Sequence, residues 1–237
     1  MIGYMGICGF AGTDGPLEVT GMVHPDHRRQ GIFRLLSSLV FNECKRRGSV
    51  KNYLLCDRKS DSGQAFLKSL GAVYEYSEFE MYLNPDKDLS GRDLDVIQFK
   101  KATNADAKEI ARQNRIYFNE PEEDKQDDSS EVMNGLLPEE EEKKGMTIYL
   151  AYLGEQCIGK THLQCMNGLG GIYGLGVMPD ERGKGYGRSI LCKSEIMLYE
   201  QGASQVMLQV SAENERALCL YQSCGFETTS VMDYYIY

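Results

Sequence analysis

The chain predicts an α+β (α/β) fold, a mixed central sheet flanked by helices, laid down in tandem as one partial and one complete copy. Three observations carry that prediction. The segment Val23-His24-Pro25-Asp26-His27-Arg28-Arg29-Gln30-Gly31-Ile32-Phe33-Arg34 returns as Val177-Met178-Pro179-Asp180-Glu181-Arg182-Gly183-Lys184-Gly185-Tyr186-Gly187-Arg188. The offset from Arg28 to Arg182 is 154 residues, and Gly48/Gly202, Leu54/Leu208 and Gly71/Gly225 keep it without a gap. Duplication is the simplest account of so long a register. Each copy also reads strand, turn, helix, strand, helix, strand.

The first copy is expected over residues 1–84. Only Met1 to Gly12 precedes its glycine-rich segment, enough for one strand, so it lacks leading elements that the second copy has. Residues 85–94 have the polar, Pro- and Gly-containing composition of a linker. The second copy, 95–237, opens with a strand from Val96 to Lys101 and a helix from Asn104 to Phe118. An acidic stretch from Asn119 to Gly145 follows, read either as a solvated loop and helix end or as a lid over an amine site. Thr147–Leu153 and Cys157–Met166 form a hairpin turning at Gly154-Glu155. Gly171–Val177 is a glycine-rich strand stopped by Pro179. A helix from about Gly185 to Gln201 has Ile190, Ser194, Met197 and Leu198 at helical spacing and ends at Gly202. Gln205–Val210 alternates as a short strand, Asn214–Ser223 is helical with Gly225 as its stop, and Val231–Tyr237 is an aromatic last strand.

Of the 237 residues, 42% are hydrophobic, enough for a real core. With 26 Lys and Arg against 35 Asp and Glu, the net charge of −9 argues against nucleic acid as a partner, which needs a basic face, and favours a cationic one. No run approaches the roughly 18 apolar residues of a membrane helix, and the start lacks the layout of a secretion signal, so no membrane partner and a cytoplasmic location are expected. The eight cysteines show no metal-ligand spacing with the three histidines. They read as reduced core thiols, and no metal is expected.

The segment Arg182–Arg188 has the makings of an anion cradle. Its glycines let the backbone turn at positive φ and come close to a ligand, the first N–H groups of the following helix point outward, and the flanking basic residues add charge. It matches neither the G-x-G-x-x-G nor the G-K-[ST] nucleotide fingerprint. A tight strand-to-helix connection would account for the glycines equally well.

The wider string Val177-x-Pro179-x-x-Arg182-Gly183-Lys184-Gly185-Tyr186-Gly187, followed by Asn214-x-x-Ala217-x-x-x-Tyr221-x-x-x-Gly225-Phe226, resembles the signature of the GNAT acetyltransferases. With the preceding element order, the resemblance covers nearly all of Val96 to Tyr237. It implies acetyl-CoA as cosubstrate. Its diphosphate would lie on the backbone of Arg182, Gly183, Lys184, Gly185, Tyr186 and Gly187, with Arg188 flanking. The pantetheine arm would pair with Leu175, Gly176 and Val177 and bond to Asn214. It further implies Tyr221 as the general acid that protonates the departing thiolate, a strand amide polarising the thioester carbonyl, and a small-molecule or peptide amine as acceptor. Members of the family often place a glutamate three residues before that valine to take the amine's proton. Here that position is Gly174, so the base is open among a water chain, a lid carboxylate and an acceptor that arrives neutral. Tyr173 and the cluster Tyr234, Tyr235 and Tyr237 are candidates to line the acceptor cleft, or else ordinary strand aromatics.

In the first copy Val23, Arg28, Arg29, Gln30, Gly31 and Phe33 are the candidates for a second, vestigial cofactor site in the same register, but Phe33 stands at the Gly187 position, Ser60 at Asn214 and Leu67 at Tyr221. Leucine has no proton to give. The plan is similar to tandem GNAT proteins in which one repeat degenerates, and the first copy is expected to frame the substrate. Two other classes compete with an N-acetyltransferase. One is a non-catalytic acyl-CoA-binding module. The other is a structural protein whose open sheet edge pairs with a second copy of the chain, as a homodimer.

Overall fold

Alternating burial in Leu17–Val23 marks a strand with one face inward, and it pairs antiparallel with Gly3–Gly9 from Gly3↔Val23 to Gly9↔Leu17. These are β2 and β1. The computed structural model describes residues 1–9, 16–86, 96–118 and 137–237. They fall into two units, Met1–Phe79 with Ser211–Glu213 and Ser230–Tyr237, and Glu80–Val210 with Asn214–Thr229.

In the first unit a 3-10 turn at Pro25–His27 leads into α1 (Ile32–Arg46). Next come β3 (Asn52–Asp57), parallel to β2 over Leu17–Val19, α2 (Asp61–Leu70), and β4 (Val73–Leu83). Leu17, Val19, Cys44, Leu54, Cys56 and Leu67 form its core, joined by Val40, Phe41 and Leu70. Each such side chain taken fully out of water contributes about 1.5–3 kcal/mol. The last strand, β10 (Phe226–Ile236), pairs antiparallel with β3 from Met232↔Asp57 to Ile236↔Tyr53.

That pairing differs from the expected division of the chain, in which the last strand stays with residues 95–237. Apolar alternation says that Val231–Tyr237 is a strand, but not which neighbour accepts its hydrogen bonds. Asp233 fastens it to the first unit, taking hydrogen bonds from Arg58 Nη2 (2.7 Å), Ser77 Oγ (2.7 Å) and Gln64 Nε2 (3.2 Å). The aromatic cluster goes with it. Tyr234 donates to Glu78 and stacks on Tyr76, Tyr235 donates to Gln64, and Tyr237 lies against Phe41.

In the second unit β5 (Gln98–Lys101) pairs antiparallel with β6 (Met146–Leu153), β6 with β7 (Gln156–Met166), and β7 with β8 (Leu169–Val177). β9 (Gln205–Ser211) runs parallel to β8, which makes the sheet mixed. Helices α3 (Ala107–Phe118), α5 (Tyr186–Glu200) and α6 (Glu215–Cys224) lie against or beside this sheet. Ile148 and Leu150 of β6 pack with Ile110 of α3, whereas Ala151 packs with Ile190 of α5, so alternate residues of one strand serve opposite faces. Asn104–Asp106, expected as the first turn of a helix, is a 3-10 turn closed by a Thr103/Asp106 capping box.

Most of the acidic stretch lies outside the described residues, as do 87–94 of the expected linker. The described part forms α4 (Pro138–Lys143), and its carboxylates are spent locally. Glu139 caps at Asn104, Glu142 pairs with Lys101, and Glu140 and Glu141 pair with Lys143 and Lys144. Cys44, Cys56, Cys192 and Cys224 are buried as expected of core thiols, but Cys8 and Cys219 are exposed. Among the described residues no helix is long and apolar enough to cross a membrane.

Candidate active site

β8 and β9 pair from Leu169↔Gln205 to Ile172↔Leu208 and no further. Beyond that point β8 continues to Val177 with only β7 beside it, so Tyr173–Val177 presents an edge on the β9 side that β9 does not cover. A bulge bends the strand there: Lys160 faces Gly176 and His162 faces Tyr173, which sets Gly174 and Leu175 together opposite Thr161. Gly174 makes the bulge with φ +52°, a left-handed conformation that costs a residue with a Cβ about 1–2 kcal/mol. Leu175 and Val177 pack toward Ile190 of α5. The Tyr117 ring of α3 lies where a Cβ on Gly176 would sit, 2.2 Å from that position.

The loop from Arg182 to Gly185 joins the end of this strand to α5. Gly185 caps the helix at φ +91° with no side-chain hydrogen bond to its first amides, and Gly183 has φ +77°. A Cβ at either glycine would meet nothing within 4 Å, so the loop's outer surface is open to a ligand and the helix amides face an anion's natural position. The charged side chains are partly committed elsewhere. Arg182 Nε donates to Val177 O at 2.9 Å and braces the loop on the strand, Lys184 pairs with Glu181 at 2.9 Å, and Arg188 Nη2 donates to Ser223 Oγ at 2.9 Å. Tyr186 packs with the Ile190 cluster. Gly187 lets two helices close up, since its Cβ would lie 3.2 Å from Leu220 Cδ2 and 3.7 Å from Val177 Cγ2.

Asn214 is the N-cap of α6, and its Oδ1 accepts from Ala217 N at 3.1 Å. Its side-chain N–H groups are what it has to offer a ligand carbonyl. Tyr221, in the middle of α6, is buried, with its ring 6.2 Å from that of Phe226. Burial, then Cys224, pushes its hydroxyl up to about 12, so it stays protonated. The site residues on β8, the loop and α5 are therefore contiguous, and α6 is tied to them through Gly187–Leu220 and Arg188–Ser223.

The first-unit set assembles in the same way around its own loop. Arg28 Nε donates to Val23 O at 3.1 Å, Gln30 Nε2 to Asp26 O at 3.5 Å, Gly31 caps α1 at φ +80°, and Arg29 holds φ +65° without being glycine. Phe33 meets Phe66 edge-on at 4.7 Å, filling with two rings the contact that Gly187 and Leu220 make. Ser60 Oγ caps α2 through Gly63 N at 3.3 Å, so the cap survives there without the asparagine amide.

Two residues that sequence reasoning passed over stand at the bulge. Lys160 Nζ is 3.1 Å from His162 Nε2 and donates to Gly174 O at 3.2 Å. Both are buried. The signal was present as two basic residues, i and i+2, on one face of β7.

Comparison with known proteins bears on this geometry. Residues 108–226 match the model of the acetyltransferase (GNAT) family. The mycothiol acetyltransferase of Kocuria rhizophila is 42% identical over 59 residues, which is 25% of this chain and 20% of that protein. The match to the first such relatives thus spans about a fifth of their length. The mycothiol acetyltransferase of Streptomyces coelicolor is 26% identical over 94% of this chain and 73% of its own length. Among solved structures, a GCN5-related N-acetyltransferase from Sphaerobacter thermophilus superposes with a TM-score of 0.74 at 18% identity, covering 100% of this chain and 76% of that one. A tandem GNAT protein from the clavulanic acid biosynthesis pathway gives 0.71 at 14% identity, covering 94% and 74%. At such identities the likeness is one of fold.

Proposed function

This chain belongs to the acetyltransferase (GNAT) family, and on that premise we propose that its second unit transfers an acetyl group from acetyl-CoA to a primary amine of a small molecule or peptide. The observation that carries the reading is the join between two features. The uncovered edge of β8 beyond Ile172 runs straight into a loop whose glycines and uncapped helix amides suit a diphosphate.

The bound cosubstrate supplies an acetyl group activated as a thioester. The chain's own residues do the rest. Amides from Arg182 to Gly187 hold the diphosphate, braced by the Arg182–Val177 bond. Leu175, Gly176 and Val177 offer backbone groups to the pantetheine amides, and Asn214 offers its side-chain N–H. As the amine nitrogen bonds to the acetyl carbon and the carbon–sulfur bond breaks, Tyr221 gives its hydroxyl proton to the sulfur, and the proton that the nitrogen sheds returns through water to the Tyr221 oxygen. A net charge of −9 favours a cationic acceptor, and the relatives' name adds a mycothiol-type acceptor to those worth testing. We assign the first unit as a degenerate tandem copy. Its Leu67, buried at the Tyr221 position, has no proton to give.

One observation favours a non-catalytic acyl-CoA-binding module instead: Gly174 leaves the usual carboxylate position without one. Release of free CoA thiol from acetyl-CoA, followed over a panel of amines, separates the two. Amine-dependent release that Tyr221→Phe suppresses supports transfer. Binding of acetyl-CoA with no release by any amine supports the module.

A further inference from the structure

Lys160 and His162 have no part in the chemistry above, yet both are buried at the bend of the strand that carries it. Lys160 is 0% exposed and His162 6%. Burial first, and then the Lys160 ammonium, hold the His162 ring neutral down to about 3, so its Nε2 serves as acceptor for the ammonium at 3.1 Å. Tyr117 of α3 puts its ring 5.7 Å from Lys160 Nζ, and Tyr173 of β8 stands opposite His162. A Cβ at Gly174 would lie 3.3 Å from both Lys160 Nζ and His162 Nε2. The ammonium and the imidazole thus crowd the place where a side chain at 174 would begin.

The ammonium's bond to Gly174 O fixes the orientation of one peptide group. Among the described residues no peptide bond is cis, so the Leu175 N–H points opposite to the Gly174 C=O. Because that carbonyl turns toward the Lys160 ammonium, the Leu175 N–H turns away from it, on a strand whose other edge β9 leaves uncovered beyond Leu208. Leu175 also belongs to the bulge, where the ladder gives it no partner residue on β7. A hydrogen bond from a cation to a carbonyl is about twice as strong as a neutral one, and it polarises the peptide so that the N–H becomes a better donor.

Resting on the acetyltransferase reading of this unit, we propose that Lys160 is a positioning residue: its ammonium, held by the His162 ring, locks and polarises the Gly174–Leu175 peptide so that the Leu175 N–H bonds to the thioester carbonyl oxygen. Charge building on that oxygen as the amine adds is then met by a fixed, strengthened donor. Glycine at 174 follows from the same arrangement, since it supplies the bulge and leaves room for the two basic groups.

The test follows the carbonyl stretch of acetyl-CoA labelled with 13C at the acetyl carbonyl, with calorimetry on the same samples. Binding to the unaltered protein should lower the stretching frequency. Lys160→Met should return it toward that of free acetyl-CoA while changing affinity less than about threefold, because diphosphate and arm contacts carry ground-state binding. Lys160→Gln, a donor without the charge, should fall between them and serves if the methionine variant does not fold. Once an amine acceptor is found, thiol release by Lys160→Met should drop roughly 10- to 100-fold. In the unaltered protein labelled with 15N-leucine, the Leu175 amide proton should move downfield on binding, and an unmoved Leu175 signal overturns the proposal without any variant. A lowered frequency that persists in Lys160→Met overturns the role of Lys160 but leaves the acetyltransferase reading standing. Failure of the unaltered protein to bind acetyl-CoA overturns that reading and this inference with it.

Discussion

Replacing Asp233 by asparagine removes one charge with almost no change of shape, and it tests whether the last strand is fastened to the first unit as described. Oδ1 takes hydrogen bonds from Arg58 Nη2 (2.7 Å), Arg58 Nε (3.1 Å) and Ser77 Oγ (2.7 Å). Asparagine keeps one acceptor oxygen there but sets its NH2 against Gln64 Nε2, whose own Oε1 already accepts from the Tyr235 hydroxyl at 2.5 Å. Each bond that loses its charge loses about 1 kcal/mol. The Arg58 side chain is 51% exposed, so its two bonds are discounted for screening, and the sum is roughly 2 kcal/mol. Urea unfolding followed by far-UV circular dichroism at pH 7 should show a lower midpoint at unchanged slope. Burial pushes the Asp233 carboxyl up, but the hydrogen bonds from Arg58, Ser77 and Gln64 outweigh it and leave it below its ordinary 3.8. A lowered carboxyl pKa stabilises above the unfolded value and loses that contribution as pH falls through the folded one, so wild type and variant should begin to converge as pH falls past 3.8 and meet once the folded carboxyl is protonated. A change under about 0.5 kcal/mol at pH 7 would refute the fastening of β10 by Asp233.

Three further outcomes are expected. Tyr221→Phe should lower kcat roughly 10²- to 10⁴-fold with acetyl-CoA affinity unchanged, and with the hydroxyl at about 12 the wild-type rate should show no alkaline loss from this group through pH 10; an unchanged kcat removes Tyr221 as the acid. Asn214→Ala should cost about 1 kcal/mol through loss of the helix cap; Asn214→Ser, which imitates Ser60, should restore stability in thermal melts while acetyl-CoA affinity stays reduced, and wild-type affinity in the serine variant would mean that the amide bonds no ligand. Because His162 stays neutral down to about 3 when folded but takes a proton near 6.5 when unfolded, stability should fall by up to about 1.4 kcal/mol per pH unit below 6.5; His162→Gln should flatten that slope in unfolding curves at pH 4 to 6.5, and an unchanged slope contradicts the buried neutral ring.

Helices were legible because their signals are local. α1 and α5, like α2 and α6, begin and end at the same 154-residue offset that the sequence shows, Ile32 to Tyr186 and Asp61 to Glu215, with glycine at the N-cap of the first pair and at the C-cap of the second. The loop was legible for the same reason, since Gly183 and Gly185 announce positive φ. Partnership was not. Nothing local in Val231–Tyr237 says that it pairs with β3, and nothing in Arg182 says that its Nε is spent on Val177 O. Lys160 and His162 escaped because nothing local in β7 sets them apart from its other polar residues unless the opposing bulge is known, and that bulge depends on the register of β7 with β8.

The central claim, that the second unit holds acetyl-CoA on the Arg182–Gly187 loop, is tested most directly by calorimetric titration of acetyl-CoA into the wild-type chain, Gly185→Glu and Gly31→Glu. Both glycines are left-handed, at φ +91° and +80°, and a Cβ at either meets open space, so strain is matched and only the position of the new carboxylate differs. The account predicts wild-type binding that Gly185→Glu abolishes and Gly31→Glu preserves. Loss of binding with Gly31→Glu while Gly185→Glu still binds, or no binding by the wild type, would contradict it.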